Sequence, residues 1–286
     1  MRLVIKTQVS DSSIWNAIQP HKTDIIISTS PKTGTTLTQQ IVNLIINGNS
    51  NFKYLYDLSP WVEENPEIFF GSLENKVNHI DKLPDPRFFK SHLPFDALPY
   101  YPEWKYISLL RDGRDIAQSL YNHLRSQDPK YYKDFGSEMA GSFSEFWEKW
   151  LKNEEFPGWI FCTLVYKSWW NARHLPNVLL VHYSNLINHK ENEIQRIANF
   201  LNIEIDSAKM NTILHESSFE YMSNNWEKFQ PPGFLPGKFF GNGKNGRWKD
   251  LLTPKQIEEY ETMACEQLGA ALANWLQSAG LLTQFN

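Results

Sequence analysis

Residue patterning predicts an α/β fold, a central parallel sheet flanked by helices in one domain, and three observations carry that prediction. Four short runs, at residues 24–29, 87–90, 105–110 and 177–182, are apolar without alternation and end in polar residues. Continuous apolar character suits strands covered on both faces, as in a parallel sheet. Helical patterns lie between these runs, and strand and helix in alternation build parallel sheets sandwiched by helices. Third, the first run passes through a tight polar turn, Ser30-Pro31-Lys32-Thr33-Gly34, straight into a helical pattern.

The elements follow in order. Ile25, Ile26 and Ile27 make the first strand, and a helix is expected over 37–47. The strands at 87–90 and 105–110 precede His92 and Arg111, and helices are expected over 115–125, 144–152 and 160–173. The last strand, 177–182, ends at Tyr183 and is followed by helical patterns over 191–201 and 254–278. Thr253-Pro254 reads as the start of the final helix, threonine as cap and proline at the first position. Between them, residues 231–247 crowd Gly233, Gly237, Gly241, Gly243 and Gly246 around Lys238 and Lys244, the composition of a mobile lid over a ligand. No linker divides residues 1–286, so a single domain is expected.

Charge and composition narrow the function classes. With 28 basic and 32 acidic residues the net charge is −4, which points to neither nucleic acid nor an anionic membrane as a partner. Leu3-Val4-Ile5 before Lys6 is too short for a secretory segment, and no apolar run approaches membrane-spanning length. Two cysteines, Cys162 and Cys265, make no disulfide framework and are expected to be buried small hydrophobes, in keeping with a reducing, cytoplasmic location. Most of the 11 tryptophans, Trp147, Trp150, Trp159, Trp169 and Trp170 among them, are expected in the core or in pocket walls.

The turn at Lys32 has the makings of an anion site. The first amides of a helix lack intrahelical acceptors and sit at the positive end of its dipole. Lys32 adds a full charge, and Thr33, Thr35 and Thr36 add hydroxyls. The lysine precedes the only glycine of the turn, so this is not G-x-x-x-x-G-K-[ST], and G-x-G-x-x-G is absent. Ligands of parallel sheets bind outside the carboxyl ends of the strands, where the Lys32 loop, Arg111 and Tyr183 all fall.

Pro31-Lys32-Thr33-Gly34-Thr35-Thr36 resembles the 5′-phosphosulfate loop of the sulfotransferases, which use 3′-phosphoadenosine 5′-phosphosulfate (PAPS) as sulfuryl donor. Three further segments in the same order strengthen the resemblance. Lys90-Ser91-His92-Leu93-Pro94 is similar to the Lys-Thr-His-Leu-Pro segment bearing the family's catalytic histidine. The stretch from Leu110 to Tyr121 resembles the 3′-phosphate segment, with Arg111 and Ser119 in the matching places. Gly243-Lys244-Asn245-Gly246-Arg247-Trp248-Lys249 is similar to the late Gly-x-x-Gly-Asp-Trp-Lys loop. The likeness runs from about residue 24 to about residue 258 and is nearest in pattern to the soluble, cytosolic, small-molecule branch, whose base is histidine where many Golgi relatives have glutamate.

The resemblance implies the P-loop-NTPase-like sulfotransferase fold and a role for each matching residue. Lys32 would stabilise the leaving phosphate, His92 would take the acceptor proton, and Lys90 would hold the sulfonate or bridging oxygen. Thr33, Gly34, Thr35 and Thr36 would cradle the 5′ group, and Arg111 and Ser119 the 3′-phosphate. Tyr183, Ser217, Phe219 and Trp248 would contact the nucleoside. The pattern departs in the late loop, where Gly241-Asn242 replace an Arg-Lys clamp and Arg247 replaces aspartate; Lys244 or Arg247 would then restore the charge. Residues 249–258 partly resemble the family's dimer segment, which implies a homodimer. The product would be adenosine 3′,5′-bisphosphate, and no metal is implied.

Residues 55–70, 128–141 and 224–240, rich in Tyr, Trp, Phe and Pro, are the expected acceptor walls and favour a partly apolar or flat molecule. Glu63, Glu64, Asp134 and Glu138 leave a cationic acceptor open. The expected reaction is sulfuryl transfer to a hydroxyl, or as second choice an N–H group. Its rivals are a nucleotide kinase with an altered P-loop, against which the missing second glycine speaks, and a non-catalytic nucleotide sensor, against which Lys32, Lys90 and His92 speak.

Overall fold

Four parallel strands, β1 (Ile25–Thr29), β2 (Phe88–Ser91), β3 (Lys105–Leu110) and β4 (Val178–His182), form a sheet in the order β2-β1-β3-β4. The computed structural model describes residues 2–7, 9–128, 141–154, 156–231, 233–241 and 243–279. Pairing is in step, Ile26 opposite both Phe89 and Tyr106, and Ile107 opposite Leu179.

The pleat explains the unbroken apolar strands. Ile26, Phe89, Tyr106, Leu110, Val178 and Leu180 face one core with Trp147, Trp150, Trp159, Trp169 and Tyr260. Their neighbours Ile25, Ile27, Phe88, Ile107, Leu109, Leu179 and Val181 face a second core. Successive side chains point to opposite faces, and both faces are covered.

Twelve helices surround the sheet among the described residues: α1 (Thr35–Asn47), α2 (Leu55–Leu58), α3 (Leu73–Ile80), α4 (Gly113–Arg125), α5 (Phe143–Lys152), α6 (Trp159–Ala172), α7 (Tyr183–Asn188), α8 (Lys190–Phe200), α9 (Ser207–Glu216), α10 (Phe219–Asn224), α11 (Pro254–Leu268) and α12 (Ala270–Ser278). The expected strands lie within a residue of those observed. Helices α2, α7 and α10 are too short to show a period, while α3 and α9 bury only two residues each. The expected helix at 254–278 is two helices, broken at Gly269 (φ 80°), and Thr253 caps the first through a reciprocal bond with Gln256.

At the amino ends of the strands a buried ion pair staples β1 to β2: Arg87 Nε and Nη2 donate to Asp24 at 2.8 and 2.7 Å. His21, Asp24 and Asp85 are the one metal-capable trio among the described residues, and Arg87 already holds both Asp24 oxygens. Cys162 is buried as expected, whereas Cys265 is exposed because it lies on the outer side of α11. Among the described residues no helix is long and apolar enough to cross a membrane.

Candidate active site

Because β2 and β3 lie on opposite sides of β1, the chain crosses over β1 between them, and a crevice opens at the carboxyl ends of the strands. The loops after all four strands meet there.

The loop after β1 turns on two left-handed residues, Lys32 (φ 66°) and Gly34 (φ 104°). Gly34 has a second constraint, since a Cβ would lie 2.6 Å from the Tyr183 ring. No side chain caps the opening amides of α1. Thr33 donates to the Ser30 carbonyl at 2.6 Å and Thr35 pairs with Thr29 at 2.6 Å, so these hydroxyls brace the loop. The Thr36 hydroxyl bonds to no described residue.

Lys32 sends its ammonium to His123 Nδ1, 2.8 Å away, and over the Phe239 ring at 5.0 Å. Burial, then the charges of Lys90 and Arg111, lower its pKa to about 7. On β2, Lys90 lies 4.6 Å from the centre of the Trp61 ring. Burial pulls its pKa down too, while Glu64 and Glu63 oppose that shift.

His92, just beyond β2, is buried. Its Nδ1 lies 2.7 Å from the Thr29 carbonyl oxygen, which can only accept, so that nitrogen carries the proton and Nε2 keeps its lone pair. Burial first, then Lys90 and Lys32, hold the imidazole well below its ordinary range, against the Thr29 bond. The ring is thus neutral near pH 7. Its backbone is fixed by Glu63, whose Oε1 accepts from His92 N at 2.6 Å and Ser91 Oγ at 2.9 Å, and whose Oε2 accepts from Trp15 Nε1 at 3.1 Å. Glu63 is therefore committed to the scaffold. Glu64 hydrogen-bonds Tyr56, and burial raises its pKa to about 7. Asp134 and Glu138 lie outside the described residues. Trp61 and Phe156 flank the His92 ring, with centres 4.9 and 6.0 Å away.

Arg111 joins three loops. Its Nη1 donates to the Lys32 carbonyl at 2.9 Å, Nε and Nη2 reach Asn245 Oδ1 at 3.1 and 2.5 Å, and the guanidinium lies 4.2 Å from the centre of the Tyr183 ring. Asn245 passes its own amide to Ser184 Oγ at 3.1 Å, and Gly246 N donates to Asp115 at 2.8 Å. Described parts of the glycine-rich segment thus lie across the crevice; Asn242 and most of 128–141 fall outside the described residues.

The remaining expected residues divide. Ser119 is half-buried on α4, and no described residue bonds its hydroxyl. Ser217 is buried and donates to the Ile213 carbonyl at 2.6 Å. Phe219 is exposed and packs over Gly243. Trp248 is buried in the core beneath the Arg114 guanidinium, 3.9 Å from its ring centre, so that face is taken. Lys244 is exposed and Arg247 half-buried.

The family model described as "Sulfotransferase domain" matches residues 22–271. The chain belongs to the sulfotransferase family. This sulfotransferase is 29% identical to mouse sulfotransferase 1B1, the match covering 87% of this chain and 85% of the relative. Human sulfotransferase 1E1 is 29% identical over 86% of this chain and 83% of its own. A glycolipid sulfotransferase of Mycobacterium tuberculosis is 26% identical over 91% and 89%. Retinol dehydratase in complex with androsterone and the inactive cofactor PAP superposes with a TM-score of 0.72, at 23% identity over 90% of this chain and 84% of that one. Mouse sulfotransferase SULT7A1 complexed with PAP gives 0.73, at 19% identity over 96% and 98%. These two likenesses establish the shared fold.

Sequence reasoning passed over His123 and Asn245. His123 stands four residues after Ser119 on one helix and so shares its face, which is a signal the spacing contained. Asn245 carried no such signal, because an asparagine in a flexible loop does not announce its partner.

Proposed function

We propose that the protein transfers the sulfuryl group of PAPS to a hydroxyl of a small, partly apolar organic molecule, an N–H group being the second choice. The observation that carries this reading is the His92–Thr29 bond: in an imidazole that burial and its cationic neighbours keep neutral, it holds the proton on Nδ1 and leaves Nε2 free beside two cations at the ends of adjacent strands. The donor supplies a sulfuryl group on a phosphate leaving group. The acceptor oxygen forms its bond to sulfur as the bond from sulfur to the phosphate oxygen breaks, in line. His92 Nε2 takes the acceptor proton, Lys32 offsets charge on the departing oxygen, and Lys90 steadies the sulfonate. Adenosine 3′,5′-bisphosphate leaves.

In this reading the uncapped amides of α1 with Thr33, Gly34, Thr35 and Thr36 hold the 5′-phosphate, Arg111 and Ser119 the 3′-phosphate, and Tyr183, Ser217 and Phe219 the nucleoside. Residues 231–247 act as its lid within a single domain of 1–286, Lys244 or Arg247 supplying the charge absent at Gly241. Trp248 acts from beneath, through Arg114. Trp61, Phe156, Phe234 and Phe239 suit a flat acceptor. A cytoplasmic enzyme, dimeric through residues 249–258, completes the reading, supported by the free Cys162 and Cys265 and the exposed Leu251.

The test is a titration followed by an assay. Adenosine 3′,5′-bisphosphate without metal should raise the unfolding temperature more than ATP or NAD does, and PAPS with a panel of phenols and alcohols should yield sulfated product. Equal stabilisation by ATP with magnesium would favour the kinase; nucleotide binding with no product from any acceptor would favour the sensor.

A further inference from the structure

We propose that His123 is a positioning residue for the leaving-group cation: its Nδ1 accepts from Lys32 Nζ and holds that ammonium in place before the donor arrives. The proposal rests on the sulfotransferase reading of the site. Lysine has a long, freely rotating stem, and among the described residues its ammonium has no hydrogen-bond acceptor other than His123, 2.8 Å away. The other charged and titratable groups around it make no bond to the ammonium. Lys90 on β2 and Arg111 after β3 are cations, and His92 keeps Nδ1 on Thr29.

An imidazole suits this task better than a carboxylate. It is uncharged, since burial first, then Lys32, Lys90 and His92, hold His123 well below its ordinary range. An anionic partner would cancel the Lys32 charge and compete with the incoming phosphate; a neutral one leaves the charge intact. An ammonium also has three donors, so Lys32 keeps one hydrogen on His123 while two turn to the donor. Phe234 and Phe239 hold the His123 ring, at 4.5 and 5.9 Å between centres, and both belong to the glycine-rich segment. The same segment thus steadies the acceptor and covers the lysine. With Lys32 pulled down to about 7, the loss of this one acceptor changes how much of it is charged near neutral pH.

The test compares His123→Phe, which keeps a ring between Phe234 and Phe239 but removes the acceptor, with His123→Gln, which offers a carbonyl oxygen. Lys32 is titrated by carbon NMR on free protein labelled at lysine Cε, assigned with Lys32→Arg, and kcat is measured against pH with PAPS and the phenol panel. His123→Phe should move the Lys32 midpoint down by about one pH unit, a drop in the charged fraction that approaches tenfold only well above pH 7, and lower kcat at pH 7.5 by about the same order. Donor KM at pH 7.5 should rise by several-fold, because binding must then recharge a lysine that is more often neutral, and His123→Gln should restore midpoint, KM and kcat. An unchanged Lys32 midpoint in His123→Phe, or equal loss in the two variants, overturns the proposal. If His123→Phe does not fold, nitrogen NMR of the wild-type imidazole decides, a proton on Nδ1 overturning it. Absence of sulfuryl transfer by the wild type would sink the sulfotransferase reading alone, because the Lys32 titration needs no turnover.

Discussion

His92 donates its Nδ1 proton to the Thr29 carbonyl, 2.7 Å away, and this one bond decides which end of the imidazole is free. Thr29 closes β1 and His92 follows β2, its neighbour in the sheet, so the tautomer is fixed by the register of two strands. A base held by backbone keeps its geometry as side chains move. Replacing His92 by Ala should reduce turnover roughly 10²–10⁴-fold, the span for losing a general base, with bisphosphate affinity nearly unchanged. Turnover equal to wild type would remove His92 from the role.

The Lys32 ammonium gives the site a pH dependence with a definite sign. Its pKa in the free protein, about 7, lies below the 10.5 of an exposed lysine. Anion binding favours the charged form, so binding takes up a proton above pH 7 and affinity for the bisphosphate should fall by up to about tenfold for each unit of rising pH. Unfolding does not mimic this. Between pH 7 and 10.5 the unfolded chain binds more protons at Lys32 than the folded one, so this group makes stability rise with pH across that window. Calorimetry at pH 8 in buffers of different ionisation heat should show proton uptake on binding; no uptake would mean Lys32 does not meet the anion.

Much of the crevice was legible in the sequence, for a physical reason. Lys32, His92, Arg111 and Tyr183 follow strand ends, and strands covered on both faces are visible as unbroken apolar runs. Asn245 and Phe239 were not legible as partners of Arg111 and Lys32, since long-range contacts made by a glycine-rich segment leave no period. Trp248 shows the converse: its motif was readable, but its stacking on Arg114 depends on tertiary packing against Tyr260. Of the acidic residues that leave a cationic acceptor open, Glu63 braces the backbone of His92, a contact between distant loops that no spacing announces.

Arg111 should carry the reading of the 3′-phosphate, because Asn245 Oδ1 already accepts from its Nε and Nη2 in the place an oxyanion would take. A charge-assisted contact is worth roughly 1.5–3 kcal/mol, so Arg111→Ala should cost one to two decades in affinity for the bisphosphate. A nucleotide lacking the 3′-phosphate should lose much less. Lys244→Ala and Arg247→Ala should differ from each other in the same comparison, and the one that loses discrimination is the lid's phosphate ligand. Should neither discriminate, the late loop does not read that phosphate.

Gly34 offers the sharpest link between backbone and function. Its φ of 104° disfavours any side chain, and a methyl group would sit 2.6 Å from Tyr183 Cδ2. Tyr183 in turn stacks on Arg111, whose guanidinium holds the Lys32 carbonyl. Gly34→Ala must therefore push the tyrosine away or shift the turn, and either movement displaces Lys32 relative to the amides of α1. A misplacement of about 1 Å costs on the order of 10²-fold in rate, so turnover should fall by that order and bisphosphate affinity should drop with it. Tyr183→Ala opens the space, so if the clash is the cause Gly34→Ala should cost less affinity in a Tyr183→Ala background than in the wild type. Measured by calorimetry, an equal cost in the two backgrounds would assign the damage to backbone strain alone.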